Sequence, residues 1–251
     1  MKTLLIPDLH HRFAWVAPVV ADERPDRIVF LGDGCDAKGR WGRGYTACAG
    51  FIAFAKEWLS RPEVIWLVGN HEAHYIFNHT EIRGGGWKHW RWKRYAQELG
   101  WVWWPKMRLA HWEQGWLLSH AGFRAELAHP YHGLTEAWLT LYEREMFEAA
   151  RLGPTSWTTI GDARLRQPNG SKGGVTWLDW NREFQPIEGV NQIVGHTEDD
   201  APRWKTTDTS RNLCLDTGCR HYALIVDGAV VVKPQPYPLV ADPRQAQLVS
   251  A

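Results

Sequence analysis

The stretch Val64-Ile65-Trp66-Leu67-Val68-Gly69-Asn70-His71-Glu72 runs through apolar residues without a break. It then turns on a glycine into an amide, an imidazole and a carboxylate. An unalternating run of this kind, rich in β-branched residues, is expected of a strand covered on both faces, as in a parallel sheet. Three adjacent polar groups at its tip are costly to desolvate unless a metal ion or a charged substrate compensates them. A buried strand ending in a functional site is the reading that satisfies both features.

The same design occurs twice upstream. Residues 3–6 (TLLI) run into Asp8-Leu9-His10, and residues 27–32 (RIVFLG) run into Asp33-Gly34-Cys35-Asp36. The segments between, 13–23 and 45–61, read as helices, the first weakened by Pro18. The resulting β-α-β-α-β order is that of an α/β domain, in which strand C-termini face a common ligand crevice. Farther along, 107–122 reads as a hairpin around Gln114-Gly115. Residues 212–218, 221–228 and 229–233 form a close strand series with an Asp227-Gly228 turn. The second half is therefore expected to add mainly antiparallel strands. Residues 134–151 carry apolar residues at helical spacing and predict an amphipathic helix.

The 251 residues are 44% hydrophobic with a formal charge of +1, enough for a sizeable core and without a long-range pull toward nucleic acid or an anionic membrane. One lysine and a short apolar run precede Pro7, which reads as neither a leader nor a span, so a cytoplasmic protein without membrane contact is expected. Cys35, Cys48, Cys214 and Cys219 lack zinc-module spacing and are expected as reduced thiols.

Two further strand ends carry histidine: Ser119-His120-Ala121-Gly122 after 116–118, and Gly195-His196-Thr197-Glu198 after 192–194. The strand tips together offer Asp8, His10, Asp33, Asn70, His120 and His196, a metal site in composition. Carboxylate, imidazole and amide ligands together suit Mn²⁺, Fe²⁺ or Zn²⁺ better than Mg²⁺ or Ca²⁺. Six side chains are too many for one such ion and enough for two if a carboxylate bridges, and Asp33 is the expected bridge. Two ions so held suit in-line displacement at phosphorus, hence phosphoester hydrolysis.

PDLHH, GDGCD, GNHE, SHAG and GHTE occur in that order, and with them positions 8–198 resemble the calcineurin-like metallophosphoesterase superfamily. Residues 212–218 (NLCLDTG) are similar to a strand of its bacterial phosphoprotein phosphatases and symmetrical diadenosine tetraphosphatases. The resemblance implies a sandwich of two mixed sheets flanked by helices, with residues 1–235 as one domain and 236–251 as an extended tail. It implies that Asp8, His10 and Asp33 hold a first metal, while Asp33, Asn70, His120 and His196 hold a second. Manganese is the expected ion, with iron, zinc or nickel as substitutes. A hydroxide bridging the pair would attack phosphorus. His71 would protonate the leaving group, with Asp36 fixing its tautomer and raising its pKa. Glu198 occupies the place of a second histidine found in members that resemble nucleases.

In protein phosphatases of this family an arginine that grips phosphate follows the second aspartate; here that position is Ala37. Lys38, Arg40, Arg43 and Arg124 are the candidates to bind substrate phosphate in its stead, beside Asn70, with Arg124 favoured for its closeness to His120. The expected substrate is a phosphoprotein or small phosphomonoester, then a nucleotide or dinucleoside polyphosphate, then a phosphodiester or nucleic acid. A non-catalytic scaffold is a remote reading, because all six ligand places are filled. Glu72 is expected to stabilise a helix N-terminus, and His11 and His74 to be partly exposed neighbours. Residues 84–95, with three glycines and interleaved tryptophans and cations, read as a stacking platform for bases or a single strand, as a surface helix whose tryptophans pack on the sheet or cover the site while its cations face water, or as a lid over the site.

Overall fold

The computed structural model describes residues 1–37, 44–77, 82–100, 102–127, 133–152 and 173–239. Strands β1 (Lys2–Ile6), β2 (Arg27–Phe30) and β3 (Val64–Trp66) are joined by helices α1 (Val16–Glu23) and α2 (Tyr45–Leu59). They pair in parallel in that order, as their apolar runs predict. Pro18 is the third residue of α1, inside the first turn, where its missing N–H has no helical acceptor to lose. Helices α3 (Asn70–Ile76) and α4 (His89–Leu99) follow, then the hairpin β4 (Ala110–Glu113) and β5 (Trp116–Ser119). Next come α5 (Glu136–Leu152), β6 (Asn191–Val194), β7 (Arg203–Thr206), β8 (Arg211–Cys214), β9 (His221–Val226) and β10 (Ala229–Pro234).

Two five-stranded sheets result, ordered β10-β9-β1-β2-β3 and β4-β5-β6-β8-β7. Strand periodicity explains why they stack. In β1, Leu4 and Ile6 join the core beneath the helices, while Leu5 points the other way into a second core. That second core takes Val29 and Ile225 from the first sheet and Leu118, Ile193 and Leu213 from the other, so it is the layer between the sheets. On the helical side Trp66 stacks on Phe30 at 4.5 Å between ring centres and meets Phe51 and Phe54 edge-on. Fully burying an apolar side chain of this class contributes ~1.5–3 kcal/mol.

Both expected hairpin turns form, with positive φ at each central residue: +49° and +85° at Gln114-Gly115, +48° and +83° at Asp227-Gly228. The expected helix at 134–151 is α5, whose first turn begins with Thr135 Oγ1 accepting the Trp138 amide. One expectation is corrected. The strand series at 212–233 does not stay together: β8 joins the second sheet, while β9 returns to pair antiparallel with β1 and carries β10 with it. The second half is mainly antiparallel, as expected, in the pairs β4–β5, β7–β8, β1–β9 and β9–β10, while β5, β6 and β8 run parallel. The long connection containing α5 supplies the crossover that a parallel β5–β6 pair needs. Strand β7, an edge strand, carries no run strong enough to predict it. All four cysteines are buried free thiols, as expected. No helix among the described residues is long and apolar enough to cross a membrane.

Parallel pairing has a functional consequence. The C-terminal ends of β1, β2 and β3 in one sheet, and of β5 and β6 in the other, carry Asp8, Asp33, Asn70, His120 and His196 just beyond their last residues.

Candidate active site

Asp33 is the centre. Its Oδ2 lies 3.5 Å from His120 Nε2, 3.7 Å from His10 Nε2 and 3.9 Å from His71 Nε2, while Oδ1 accepts the His71 amide at 2.9 Å. Burial pushes the Asp33 carboxyl up, but the imidazoles of His120, His71, His10 and His196 outweigh it and hold the group well below the usual carboxylate range. Asn70 Oδ1 lies 3.1 Å from His120 Nε2 and 3.0 Å from His196 Nδ1. Asp8 is fully buried, and both its oxygens lie 3.1 Å from the His196 amide. The structure thus gathers His10, Asp33, Asn70, His120 and His196, with Asp8 held against the His196 amide.

Backbone carbonyls fix two of the histidine tautomers. His120 Nδ1 stands 2.8 Å from the Leu31 carbonyl and His10 Nδ1 stands 2.7 Å from the Asp36 carbonyl. A carbonyl only accepts, so each Nδ1 carries a proton, and in its neutral, metal-binding form each ring turns an Nε2 lone pair toward Asp33. Lone pairs and carboxylate oxygens that converge repel one another unless a cation sits among them. This donor set therefore fits a divalent metal ion. Two groups of potential ligands, His10-Asp33-His71 and Asp33-His120-His196, share Asp33, the arrangement that two neighbouring ions require.

A third group, Asp36-His71-His74, is already satisfied by itself. His74 Nδ1 accepts the Gly84 amide at 3.2 Å, so its Nε2 holds the proton and donates to Asp36 Oδ2 at 2.8 Å. Both nitrogens are used, and no lone pair remains for an ion. Asp36 Oδ2 also receives His71 Nδ1 at 3.0 Å, and its Oδ1 receives the Tyr75 hydroxyl at 2.7 Å and the Arg91 guanidinium. Burial disfavours a charged His71, but Asp33 and Asp36 prevail and raise its pKa to about 9 without a metal present. Its side chain keeps 17% exposure, more than His120 at 0% and His10 at 1%.

The backbone is bent to make this site. His10, His11, Asp33, Asp36 and His196 all have φ between +45° and +67°. Non-glycine residues in the left-handed region cost about 1 kcal/mol or more each and collect where function over-determines the geometry. Glycines provide the clearance: a Cβ on Gly69 would collide with Asp33, and one on Gly195 with Asp8.

Several residues differ from expectation. Glu72 caps α3, as expected, by accepting the Gly69 amide at 3.0 Å. It also accepts the amides of Asp33 (2.7 Å), Gly34 (2.8 Å) and Cys35 (3.1 Å), so one carboxylate shapes the loop that presents Asp33. His74 and His11 are buried rather than partly exposed, His74 by its bonds to Asp36 and Gly84, His11 by stacking on Phe51 and meeting Tyr95 Oη at 3.3 Å. In α4 the cations do not all face water: Arg91 is buried with Tyr95 and Leu99 on one face and pairs with Asp36. Those positions are spaced i, i+4, i+8, the signal by which the sequence marks an inward arginine. Arg124 is half-buried, and its Nε makes no hydrogen bond. Lys38, Arg40 and Arg43 lie outside the described residues, as does the tail from 240 onward.

Comparison with known proteins agrees with this geometry. The family model described as calcineurin-like phosphoesterase matches residues 1–222. No curated protein matches significantly. Among solved structures, the cold-active protein-tyrosine phosphatase of a psychrophile, Shewanella sp., superposes with a TM-score of 0.57 at 16% identity, over 92% of this chain and 80% of that one. A metallophosphoesterase from Sphaerobacter thermophilus gives 0.47 at 13% identity, over 100% and 94% of the two chains. The phosphoesterase Yfce from E. coli gives 0.43 at 12% identity, over 94% and 100%. The likeness to the Shewanella enzyme, at 16% identity, is one of fold.

Proposed function

The chain belongs to the calcineurin-like phosphoesterase family and is a metal-dependent phosphoric ester hydrolase, and on that premise we propose that it hydrolyses phosphomonoesters at a dinuclear centre. The observation that carries the dinuclear reading is Asp33, a single carboxylate shared by two sets of convergent imidazole donors. Asp8, His10 and Asp33 would hold one ion, and Asp33, Asn70, His120 and His196 the other. Two divalent ions there, manganese in our reading, supply Lewis acidity at phosphorus and a hydroxide nucleophile at neutral pH.

The chain's own groups do the remaining work. His71 faces the centre with Nε2 while Nδ1 is engaged by Asp36, so it can deliver a proton to a departing oxygen. Asn70 and a basic side chain neutralise the charge that grows on the phosphoryl oxygens. Arg124 is our candidate for that side chain. It follows Phe123, whose amide and carbonyl are both held by the Gln192 side chain, and its Nε is left without a hydrogen bond. Phosphomonoester preference is supported by Glu198, an acid where members that resemble nucleases place a second histidine.

The test is a rate panel with p-nitrophenyl phosphate, its bis ester, a phosphopeptide, diadenosine tetraphosphate and single-stranded DNA, each with Mn²⁺, Ni²⁺, Zn²⁺ and Mg²⁺. The monoesters should turn over fastest. Faster cleavage of the bis ester or DNA would remove the monoester assignment, and metal analysis finding one ion per chain would remove the dinuclear one.

A further inference from the structure

One aromatic residue stands at the rim of this site and has no part in the metal set or the proton path. Trp177 is half-buried on a tight turn, its amide donating to the Gly174 carbonyl at 2.9 Å. The turn is tied at both ends to the loops that carry two of the ligating histidines. The Ala121 amide, next to His120, donates to the Val175 carbonyl at 2.9 Å, and the Trp180 amide donates to Thr197 Oγ1, next to His196, at 3.0 Å. A Cβ on Gly173 would collide with the Trp177 carbonyl, so the turn closes only on glycine there. The indole is therefore fixed relative to the ligands before any substrate arrives.

Its direction is as definite as its anchoring. The Trp177 ring meets the His196 ring edge-on, 5.5 Å between centres at 77°. The far edge of its six-membered ring reaches within 3.4 Å of where a Cβ on Gly84 would stand. Gly84 is the residue whose amide holds His74, and His74 shares Asp36 Oδ2 with His71. Trp177 thus spans from a ligand of one ion to the loop flanking the proton donor. Among the described residues a Cβ at Gly85 on that loop would meet no atom within 4 Å, Gly86 is exposed, and the His71 side chain itself keeps 17% exposure.

Resting on the phosphomonoesterase reading above, we propose that Trp177 determines specificity by walling the space into which the leaving group departs, and that it favours a flat aromatic leaving group. The chemistry is a planar ring laid against a pre-fixed indole, which gains both apolar contact and quadrupole alignment without ordering a mobile side chain. An aliphatic leaving group gains less from the same wall.

The experiment measures binding, by calorimetry, of phenylphosphonate and methylphosphonate to the manganese-loaded full chain. Both ligands present the same headgroup to the ions, and only one presents a ring. Wild type should prefer phenylphosphonate. Trp177→Leu should lose about fivefold to tenfold of that preference, the range aromatic contacts give, while binding methylphosphonate as wild type does. Trp177→Phe should retain most of the preference. Equal weakening of both ligands in Trp177→Leu would make the indole a mere support for His196 and overturn the proposal, as would an unchanged preference or no binding of either ligand to wild type. Wild type that hydrolyses no phosphoester yet keeps a Trp177-dependent preference would sink the activity reading and leave the subsite. Hydrolysis of monoesters without that dependence would do the reverse.

Discussion

Replacing Glu72 by glutamine tests the device that shapes this site. Oε1 of Glu72 accepts the amides of Gly34 and Cys35, and Oε2 accepts those of Asp33 and Gly69. Burial, first, and the nearby Asp33 charge push its carboxyl up, and the amides of Cys35 and Asp33 with His120 pull it only part of the way back, so it stays above the usual carboxylate range. Its two oxygens together meet four backbone donors, an environment that suits the carboxylate. Glutamine keeps the shape but turns one end into a donor, so two of the four buried N–H groups lose their acceptor. Each such loss costs about 1–3 kcal/mol, or roughly 2–6 kcal/mol in all. Set against a typical total of about 5–15 kcal/mol, the variant should still fold but with a clearly lower urea midpoint. Because the same amides set the backbone of Asp33, manganese affinity should fall by about 10–100-fold, as for other residues that orient ligands. The assay is urea denaturation followed by tryptophan fluorescence, with and without manganese, together with metal titration. A change within about 0.5 kcal/mol, as at ordinary surface positions, with metal affinity intact would refute the reasoning.

Other perturbations give equally definite outcomes. Arg91→Met should destabilise by about 3 kcal/mol, the low end for breaking a buried pair, because Asp36 loses the guanidinium but keeps His71, His74 and Tyr75, and Asp36→Asn combined with it should cost less than the sum of the two single changes, read by urea denaturation. Asp33→Asn should lose both metal equivalents by elemental analysis, whereas His196→Ala should lose one; a variant of Asp33 that retained two ions would end its assignment as the bridge. Glu113 predicts acid sensitivity at the opposite end of the sandwich. Burial raises its pKa, but hydrogen bonds from Arg27, His111 and Thr3 prevail and lower it below 4.5. Its contribution is therefore full above the unfolded-state pKa and is lost as pH falls through the folded one. Glu113→Gln should be less stable at pH 7 and show a shallower decline in unfolding free energy below about pH 5 than wild type does. Arg124→Ala should raise KM for p-nitrophenyl phosphate, and an unchanged KM would return the clamp to Lys38, Arg40 or Arg43.

The legible part of this protein is the part written in local patterns. Apolar runs that break at Pro7, Gly32 and Gly69 located β1, β2 and β3, and after those breaks come His10, Asp33 and His71, which the structure gathers into one group. Turn chemistry marked both hairpins, because positive φ at two successive residues favours Asp-Gly at 227–228 and requires the glycine at 115. Those signals survive in one dimension because a strand and its turn are decided by residues within a few positions of one another. Trp177 and Arg91 were different. Each sits in a stretch of ordinary aromatic or basic character, and its role comes from what another segment places beside it.

By itself, then, the amino-acid order determined which side chains end the strands and what chemistry they can share. Tertiary structure decided the partners: β9 beside β1, Glu72 beneath the amides of Asp33 to Cys35, Arg91 on Asp36, and Trp177 between His196 and Gly84. The physical reason is that a buried charge or ring takes whichever complement packing brings within a few ångströms, and that choice depends on the path of the whole chain rather than on neighbours in sequence.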